Sequence, residues 1–225
     1  MTTELAILVP AFNEEPRIGT VLDVLCSYNY GLQKRVVVID DGSTDNTAYA
    51  VRQYPVELVS LERNLDKGAA LQAGIDYVVQ ADYWLFIDAD LINLEHDHLH
   101  KLLDPLLEDE KIAMTVGVFR GGRTITDLAH RYFGILNGQR GLAGSFVENL
   151  PDLSWSRFGV EVFLSKYAEW KNYTVDYPYL KGLTHHTKEA KFGFFKGVYE
   201  RLVMYVECLR SLFFWKKLHS KKKPL

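Results

Sequence analysis

The chain has 225 residues, of which 48% are hydrophobic and 24% charged, and its formal net charge is −3 at pH 7. This composition is typical of a globular protein with a sizeable core, and the weakly negative charge argues against a nucleic-acid partner. No uncharged apolar run approaches the ~20 residues that a membrane-spanning helix needs, and the N-terminus lacks the basic region of a signal peptide, so we expect a cytoplasmic protein.

The first half of the chain alternates apolar runs with segments in which apolar residues recur at helical spacing. Four apolar runs predict β-strands that are buried on both faces of a sheet. The predicted strands are 5–10, 35–43, 56–62 and 83–87. Helices are predicted between them, and the third of these covers 67–81. The second helix has two N-cap candidates, Ser43 and Thr44.

The second half begins with the same alternation and then loses it. A helix is predicted over 96–109 and a strand over 111–119. A polar, glycine-rich segment follows, and a further helix is predicted over 157–170. Strands that alternate with helices predict an α/β fold, with a doubly wound, mostly parallel sheet that carries helices on both faces.

Polar residues follow all four predicted strands of the first half. In chain order, the motifs are PAFNEE, DDGSTDNT, ERNLDKGAA and DADL. Each motif alone has a structural explanation, since DGSTDNT is typical of a turn and a helix cap. Ligands of an open parallel sheet bind beyond the carboxyl ends of its strands, so four polar ends in succession indicate a binding site.

The fourth predicted strand ends in two carboxylates, Asp88 and Asp90, which are one residue apart. Side chains alternate between the faces of an extended strand, so both carboxylates can serve one ion only if the chain bends there. Their hard oxygen ligands suit Mg²⁺ or Mn²⁺ that bridges a diphosphate. A divalent cation and a nucleotide diphosphate would then explain two negative charges at the end of a buried strand.

In order and spacing, VPAFNEE, VVVIDDGSTDNT, NLDKGAALQAGI and FIDADL resemble the GT-A domain of glycosyltransferase family 2. The resemblance covers residues 5–92 and implies a GT-A fold that binds a nucleotide sugar with Mg²⁺ or Mn²⁺ as cofactor. The residues that it implies for the nucleotide site are Pro10, Phe12 and Glu14 at the nucleoside, Asp41 at the base, and Lys67 and Gly68 near the nucleotide. It also implies that Asp88, Ala89 and Asp90 form the metal-binding DXD triplet, with Asp90 also assigned to catalysis.

Three stretches of the second half, GGRTITDL, FGVEVFL and GLTHHTKE, resemble glucosyl-3-phosphoglycerate synthases, a related GT-A group. This resemblance implies that Arg123 and Thr126 hold the anionic group of the acceptor and that His186 completes the metal site. An arginine fork suits a phosphate or a carboxylate, and a neutral imidazole suits a metal ion. His185 is adjacent to His186 and points differently, so we expect only one of them, His186, to be a ligand.

Glu161 is the candidate catalytic carboxylate. Inverting members of family 2 usually carry a Glu-Asp pair near this place, but here Val162 follows Glu161. This departure leaves two roles open, a general base or a group that only orients sugar or acceptor hydroxyls. It also leaves the stereochemistry open, because the phosphoglycerate-type relatives retain the anomeric configuration and family 2 inverts it.

The resemblance implies a metal-dependent glycosyltransferase that moves a hexose from a nucleotide diphosphate sugar, UDP-linked rather than GDP-linked, to a hydroxyl or phosphate acceptor. The acceptor would be a small anionic molecule or a polyprenyl phosphate. A non-catalytic regulatory module that binds a nucleotide sugar is one alternative, and a sugar nucleotidyltransferase is another. The latter would need a glycine- and arginine-rich loop after the first strand, which PAFNEEPRIG does not provide.

We assign residues 1–190 to the glycosyltransferase domain, with 1–92 as the half that binds the nucleotide sugar and 93–190 as the acceptor half. Residues 191–225 are basic and rich in aromatic residues, and we predict that they form an amphipathic helical extension. This extension either packs on the domain or rests on an anionic membrane, which would place the protein peripherally on the inner face. The sequence does not decide between a monomer and a homodimer.

Overall fold

The structure, a computed structural model, describes residues 3–118 and 137–185. The strands are β1 (Glu4–Ala11), β2 (Gln33–Asp40), β3 (Glu57–Ser60), β4 (Tyr83–Phe86), β5 (Leu91–Ile92), β6 (Ile112–Val116), β7 (Arg140–Ala143), β8 (Thr174–Asp176) and β9 (Thr184–His185). The α-helices are α1 (Ile18–Ser27), α2 (Thr47–Val51), α3 (Asp66–Val78), α4 (His96–Glu108), α5 (Gly144–Glu148) and α6 (Val160–Trp170). A 3₁₀ helix, Ser154–Gly159, leads directly into α6.

Seven strands form one sheet in the order β3-β2-β1-β4-β7-β6-β8, and β5 pairs with β9 in a separate two-stranded sheet. The strands from β3 to β4 are parallel to one another. β7 runs antiparallel to β4 and to β6, and β8 is parallel to β6. The sheet is therefore mostly parallel, as the alternation of strands and helices predicts.

Helices cover both faces of this sheet because its strands are apolar on both sides. In β1, Leu5, Ile7 and Val9 pack with residues of α1 and α4, whereas Ala6 and Leu8 pack with residues of α3 and α6. None of these five side chains is more than 1% exposed. Burial on both faces is what a continuous apolar strand requires, and the predicted doubly wound α/β architecture is confirmed.

Two predicted boundaries around the second strand are wrong. β2 ends at Asp40, so residues 41–43 belong to the following loop. The N-cap residue of α2 is Asn46, and neither Ser43 nor Thr44 caps this helix. Ser43 and Thr44 form hydrogen bonds with Asn13 instead, and these bonds hold the loop against the end of β1.

The antiparallel strand β7 lies in the segment that the sequence analysis treats as irregular. Gly141 of this strand lies so close to the Leu102 carbonyl and the Thr115 hydroxyl that a methyl group would overlap both. The glycine therefore permits α4 and β6 to approach β7 closely. The same residue makes the segment look like a loop in the sequence.

No helix within residues 3–118 and 137–185 is long and apolar enough to cross a membrane. The predicted helical extension, 191–225, lies outside the described residues. The division of the domain into the halves 1–92 and 93–190 stays a prediction, although one continuous sheet includes strands from both.

Candidate active site

The loops that follow β1, β2 and β3 are tied together at the carboxyl edge of the sheet. The Asn13 backbone N–H donates to Ser43 Oγ at 2.9 Å, and the Thr44 N–H donates to Asn13 Oδ1 at 2.8 Å. Gly42 has a φ of +68°, and a side chain there would overlap the backbone of Arg63 in the loop after β3. Glycine meets both requirements, so the three loops form a fixed wall at this edge.

The residues predicted around the nucleoside lie on this wall. Pro10 is the second-last residue of β1 and Phe12 is the first residue after the strand, and both are half-buried. Glu14 is only 5% exposed, and its carboxylate accepts a hydrogen bond from Arg17 Nη1 at 3.2 Å. Its backbone N–H donates to Thr47 Oγ1 at 2.8 Å, which connects the loop after β1 to α2. The structure thus brings these predicted residues together.

Asp41, the residue predicted to contact the base, is buried directly after β2. Its Oδ1 accepts a hydrogen bond from the Leu65 N–H at 2.8 Å, so it connects the loops after β2 and β3. Burial raises the pKa of the Asp41 carboxyl to about 6, and the hydrogen bond from Leu65 partly opposes that effect. Asp41 is therefore a buried acid whose charge changes in a mildly acidic range.

Lys67, in the first turn of α3, lies between two carboxylates from distant parts of the chain. Its Nζ pairs with Asp88 Oδ1, after β4, and lies 2.6 Å from Glu161 Oε1, in the first turn of α6. Burial alone would lower the pKa of Lys67, but the charges of Asp88 and Glu161 outweigh that effect, and the net shift is upward. The ammonium therefore stays charged and holds both carboxylates at the carboxyl edge of the sheet.

Gly138, just before β7, approaches this cluster from the other side. A methyl group on Gly138 would overlap the Asp88 carboxylate and Lys67 Nζ. The absence of a side chain at this position lets the backbone pack closely against the two charged groups. The sequence analysis missed Gly138, because this residue is one of several glycines in the glycine-rich segment and its neighbours in the sequence do not distinguish it from the others.

Gly68, which the sequence analysis assigns to the nucleotide, packs against the segment around the 3₁₀ helix. A side chain at Gly68 would overlap Ser156 Oγ and the Leu153 carbonyl, so the 3₁₀ helix packs directly on the start of α3. Next to it, Asp66 pairs with Arg157 Nε at 2.6 Å. These contacts explain the glycine by close packing, and a nucleotide contact through the Gly68 backbone stays a prediction.

The chain bends after β4, as the two carboxylates of the DXD triplet require. The strand ends at Phe86, and a turn begins at Ala89. Ala89 is 3% exposed and packs in the core, while Asp88 and Asp90 are only partly buried. The Ala89 side chain is therefore structural, and the two carboxylates are the groups available to a ligand.

The ribbon of β5 and β9 brings the end of the described chain beside the triplet. Leu91, which follows Asp90 directly, pairs with His185. His186 is the next residue in the sequence and lies outside the described residues. The predicted acceptor residues Arg123 and Thr126 also lie outside them, so their roles stay predictions.

The donor groups at the carboxyl edge fit a hard divalent cation. Asp88 and Asp90 offer carboxylate oxygens, which are the ligands that such a cation prefers. Within the described parts of the chain, no three His, Cys, Asp or Glu side chains form a complete metal cluster. The described residues would thus supply part of a coordination shell, with water and substrate phosphate oxygens in other positions, as is usual for Mg²⁺.

Comparison with known proteins gives one family and a consistent set of relatives. The model of a family described as glycosyl transferase family 2 matches residues 6–167. Glucosyl-3-phosphoglycerate synthase of Mycobacterium tuberculosis is 31% identical over 131 residues, which are 55% of this chain and 40% of that protein. A dolichyl-phosphate beta-glucosyltransferase of Trichomonas vaginalis is 34% identical over 124 residues, which are 49% of this chain and 36% of that protein. The chain thus spans less than half the length of these relatives.

Solved structures of the mycobacterial synthase have the same fold. Its complex with Mn²⁺, UDP and glucosyl-3-phosphoglycerate superposes with a TM-score of 0.77 at 25% identity, over 94% of this chain and 78% of that chain. Its complex with Mg²⁺ and UDP has a TM-score of 0.70 at 26% identity, over 82% of this chain and 72% of that chain. The GT-A fold predicted from the sequence is confirmed.

Proposed function

The chain belongs to glycosyl transferase family 2, and we propose that it moves a hexose from a nucleotide diphosphate sugar to a hydroxyl or phosphate acceptor. The observation that carries this proposal is the pairing of Lys67 with both Asp88 and Glu161. This pairing places a candidate metal ligand and a candidate catalytic carboxylate at one point of the carboxyl edge. UDP is the preferred donor nucleotide, because the mycobacterial relative is crystallised with UDP.

On the donor side, Asp88, Asp90 and His186 would hold Mg²⁺ or Mn²⁺. Such an ion, when bound, stabilises the negative charge of the departing diphosphate. Lys67 adds a second positive charge at the same edge and pairs with the Asp88 carboxylate. Phe12 and Asp41 supply the wall beside which the nucleoside would lie.

On the acceptor side, Glu161 is connected to the donor group Asp88 by Lys67, which pairs with both carboxylates. The Glu161 carboxylate lies 2.6 Å from the Lys67 ammonium, at a place where it would accept a hydrogen bond from a sugar or acceptor hydroxyl. Whether it also takes the proton of the acceptor depends on how far Lys67 moves when substrates bind. We propose that Arg123 and Thr126 bind the anionic group of the acceptor, because an arginine fork matches a phosphate or carboxylate.

The acceptor is proposed as a small anionic molecule or a polyprenyl phosphate. One relative is named for 3-phosphoglycerate and another for dolichyl phosphate. The basic extension bears on this choice, because five lysines, each worth about 1 kcal/mol near an anionic surface, would favour peripheral membrane contact. Lipid contact would favour the polyprenyl phosphate, and its absence would favour the soluble acceptor.

The decisive experiment is a transfer assay with purified protein, Mn²⁺, and UDP-glucose, UDP-galactose or GDP-mannose as donor. Phosphoglyceric acid and a polyprenyl phosphate serve as acceptors, and mass spectrometry detects the glycosylated product. Calorimetric titration of UDP with and without Mn²⁺ gives a second measurement. Tight binding of UDP without any product would favour the regulatory module, and release of pyrophosphate from a nucleoside triphosphate and a sugar phosphate would favour the nucleotidyltransferase.

A further inference from the structure

Arg140, the first residue of β7, is a buried arginine to which neither the sequence analysis nor the proposed function gives a role. It is 1% exposed. At one end of its side chain, Nε donates to the Asn137 carbonyl at 3.1 Å and Nη1 contacts Met114 Sδ at 3.3 Å. These contacts fix the guanidinium between β7 and β6, beneath the carboxyl edge of the sheet.

The other end of the guanidinium holds the first turn of α6. Arg140 Nη2 donates to the Glu161 carbonyl at 2.9 Å and to Ser165 Oγ at 3.1 Å. Ser165 Oγ in turn donates to the same Glu161 carbonyl at 3.0 Å. The residue that carries the candidate catalytic carboxylate is therefore held at its backbone by Arg140 and at its side chain by Lys67.

This placement is costly for an arginine. A buried guanidinium loses its hydration, and the N-terminal end of a helix, where Glu161 lies, carries a partial positive charge that repels a cation. Burial lowers the pKa of Arg140 to about 10, while the negative charges of Glu161 and Asp88 oppose that effect. Arg140 stays charged at neutral pH. An apolar side chain at this buried position of the strand would cost less desolvation free energy.

We infer that Arg140 is a positioning residue, which fixes the first turn of α6 so that the Glu161 carboxylate stays on Lys67 and faces Asp88. The inference rests on the proposed function, since Glu161 is its catalytic carboxylate. It also accounts for the retention of a charged side chain in the interior. Without the bonds from Arg140, this turn would lose two of the contacts that set its direction toward the carboxyl edge.

Three variants test the inference in the full chain. Arg140→Met removes the charge and the fork, and Arg140→Lys keeps the charge alone. Arg35→Met is the control, because the pair of Arg35 with Glu57 joins β2 to β3, which are separated from β7 by β1 and β4. We expect Arg140→Met to lower kcat by roughly ten- to a hundredfold, the effect of losing charge-assisted bonds, with the donor KM unchanged. Arg140→Lys should recover part of kcat, and Arg35→Met should leave it unchanged.

A double-variant cycle with Glu161→Gln shows whether Arg140 acts through Glu161. If it does, Arg140→Met lowers kcat much less in the Glu161→Gln background than in the natural chain. An equal loss in both backgrounds would overturn the inference. So would an Arg140→Met protein that melts at lower temperature but whose folded fraction keeps its full kcat.

A measurement without turnover separates this inference from the proposed function. The ¹⁵Nζ resonance of Lys67, assigned through Lys67→Arg, reports directly on the carboxylates around the ammonium. It should shift in Arg140→Met and in Arg140→Lys but not in Arg35→Met, even if no sugar is transferred to any acceptor. If Arg140→Met does not fold, Arg140→Lys decides, and an unchanged Lys67 resonance with unchanged kcat would refute the inference.

Discussion

Removal of the Lys67 ammonium is the most direct test of the ion pairs at the site. In Lys67→Met the side chain keeps a similar volume, but Asp88 and Glu161 remain as two carboxylates without their shared cation. Loss of one partner of a buried ion pair costs about 3–5 kcal/mol. Because the three side chains are still 13–18% exposed, we expect the free energy of unfolding to fall by about 3 kcal/mol, the lower end of that range.

Urea denaturation measures this loss. Without the ammonium, the Asp88 and Glu161 carboxylates have no shared cation, and their mutual repulsion destabilises the fold. The matched control is Lys166→Met, because Lys166 pairs with Glu169 on the surface at 33% and 55% exposure. An exposed pair of this kind is worth less than about 1 kcal/mol.

The double variant Lys67→Met/Glu161→Gln sharpens the test. If repulsion between the two carboxylates causes the loss, replacing one of them with an amide should restore part of the stability. A loss below about 1 kcal/mol in Lys67→Met, equal to that of a surface pair, would refute the reasoning. A double variant that is less stable than Lys67→Met would refute the assignment of the loss to repulsion.

Four further predictions concern the metal, the buried acid, the glycine beside the site and the extension. Asp88→Asn should keep the fold but abolish most transfer and the increase in melting temperature that Mn²⁺ with UDP produces; full activity in excess EDTA would contradict the metal role. Because the pKa of Asp41 rises from 3.8 to about 6 on folding, the ionised carboxyl costs stability above pH 6 and this cost disappears toward pH 4. Asp41→Asn should therefore raise the free energy of unfolding by up to about 3 kcal/mol at pH 8 and by less at pH 4, as measured by urea denaturation. Gly138→Ala should lower transfer strongly, whereas Gly31→Ala, at an open position with a φ of +78°, should lower only stability. A chain that ends at Leu212 should lose salt-sensitive co-sedimentation with anionic vesicles, and an intact protein that stays in the supernatant at low salt would exclude membrane contact.

The parallel part of the fold is predictable because its strands are specified locally. β1, β2 and β4 are apolar runs with helices between them, and such a pattern has few alternative structures. β7 is different, because Arg140 and Gly141 belong to residue types that a buried strand usually avoids. β7 is held in the sheet by contacts with α4 and β6, which lie far from it in the sequence. The residues near β7 in the sequence therefore do not reveal these contacts.

The same distinction applies to the site. Asp88 is recognisable because it ends an apolar run, and Lys67 because it starts a helix after a polar loop. The pairing of Lys67 with Glu161 depends on contacts between distant parts of the chain, among them the insertion of β7 between β4 and β6. The contribution of Arg140 depends on that insertion too, so it was invisible in a sequence where the segment looks like a loop.

The first turn of α3 is the place where the proposed donor and acceptor sides meet. Asp66 pairs with Arg157, and the next residue, Lys67, pairs with Glu161. Asp66 and Arg157 have φ values of +72° and +51°, a conformation that costs about 1–3 kcal/mol at a non-glycine residue, so the ion pairs hold a strained junction. In the proposed function, a donor phosphate that attracted Lys67 would weaken its hold on Glu161, and the acceptor side would then change with the donor side. A substitution at Lys67 therefore reports on both substrates at once, and only its combination with Glu161→Gln separates the two effects.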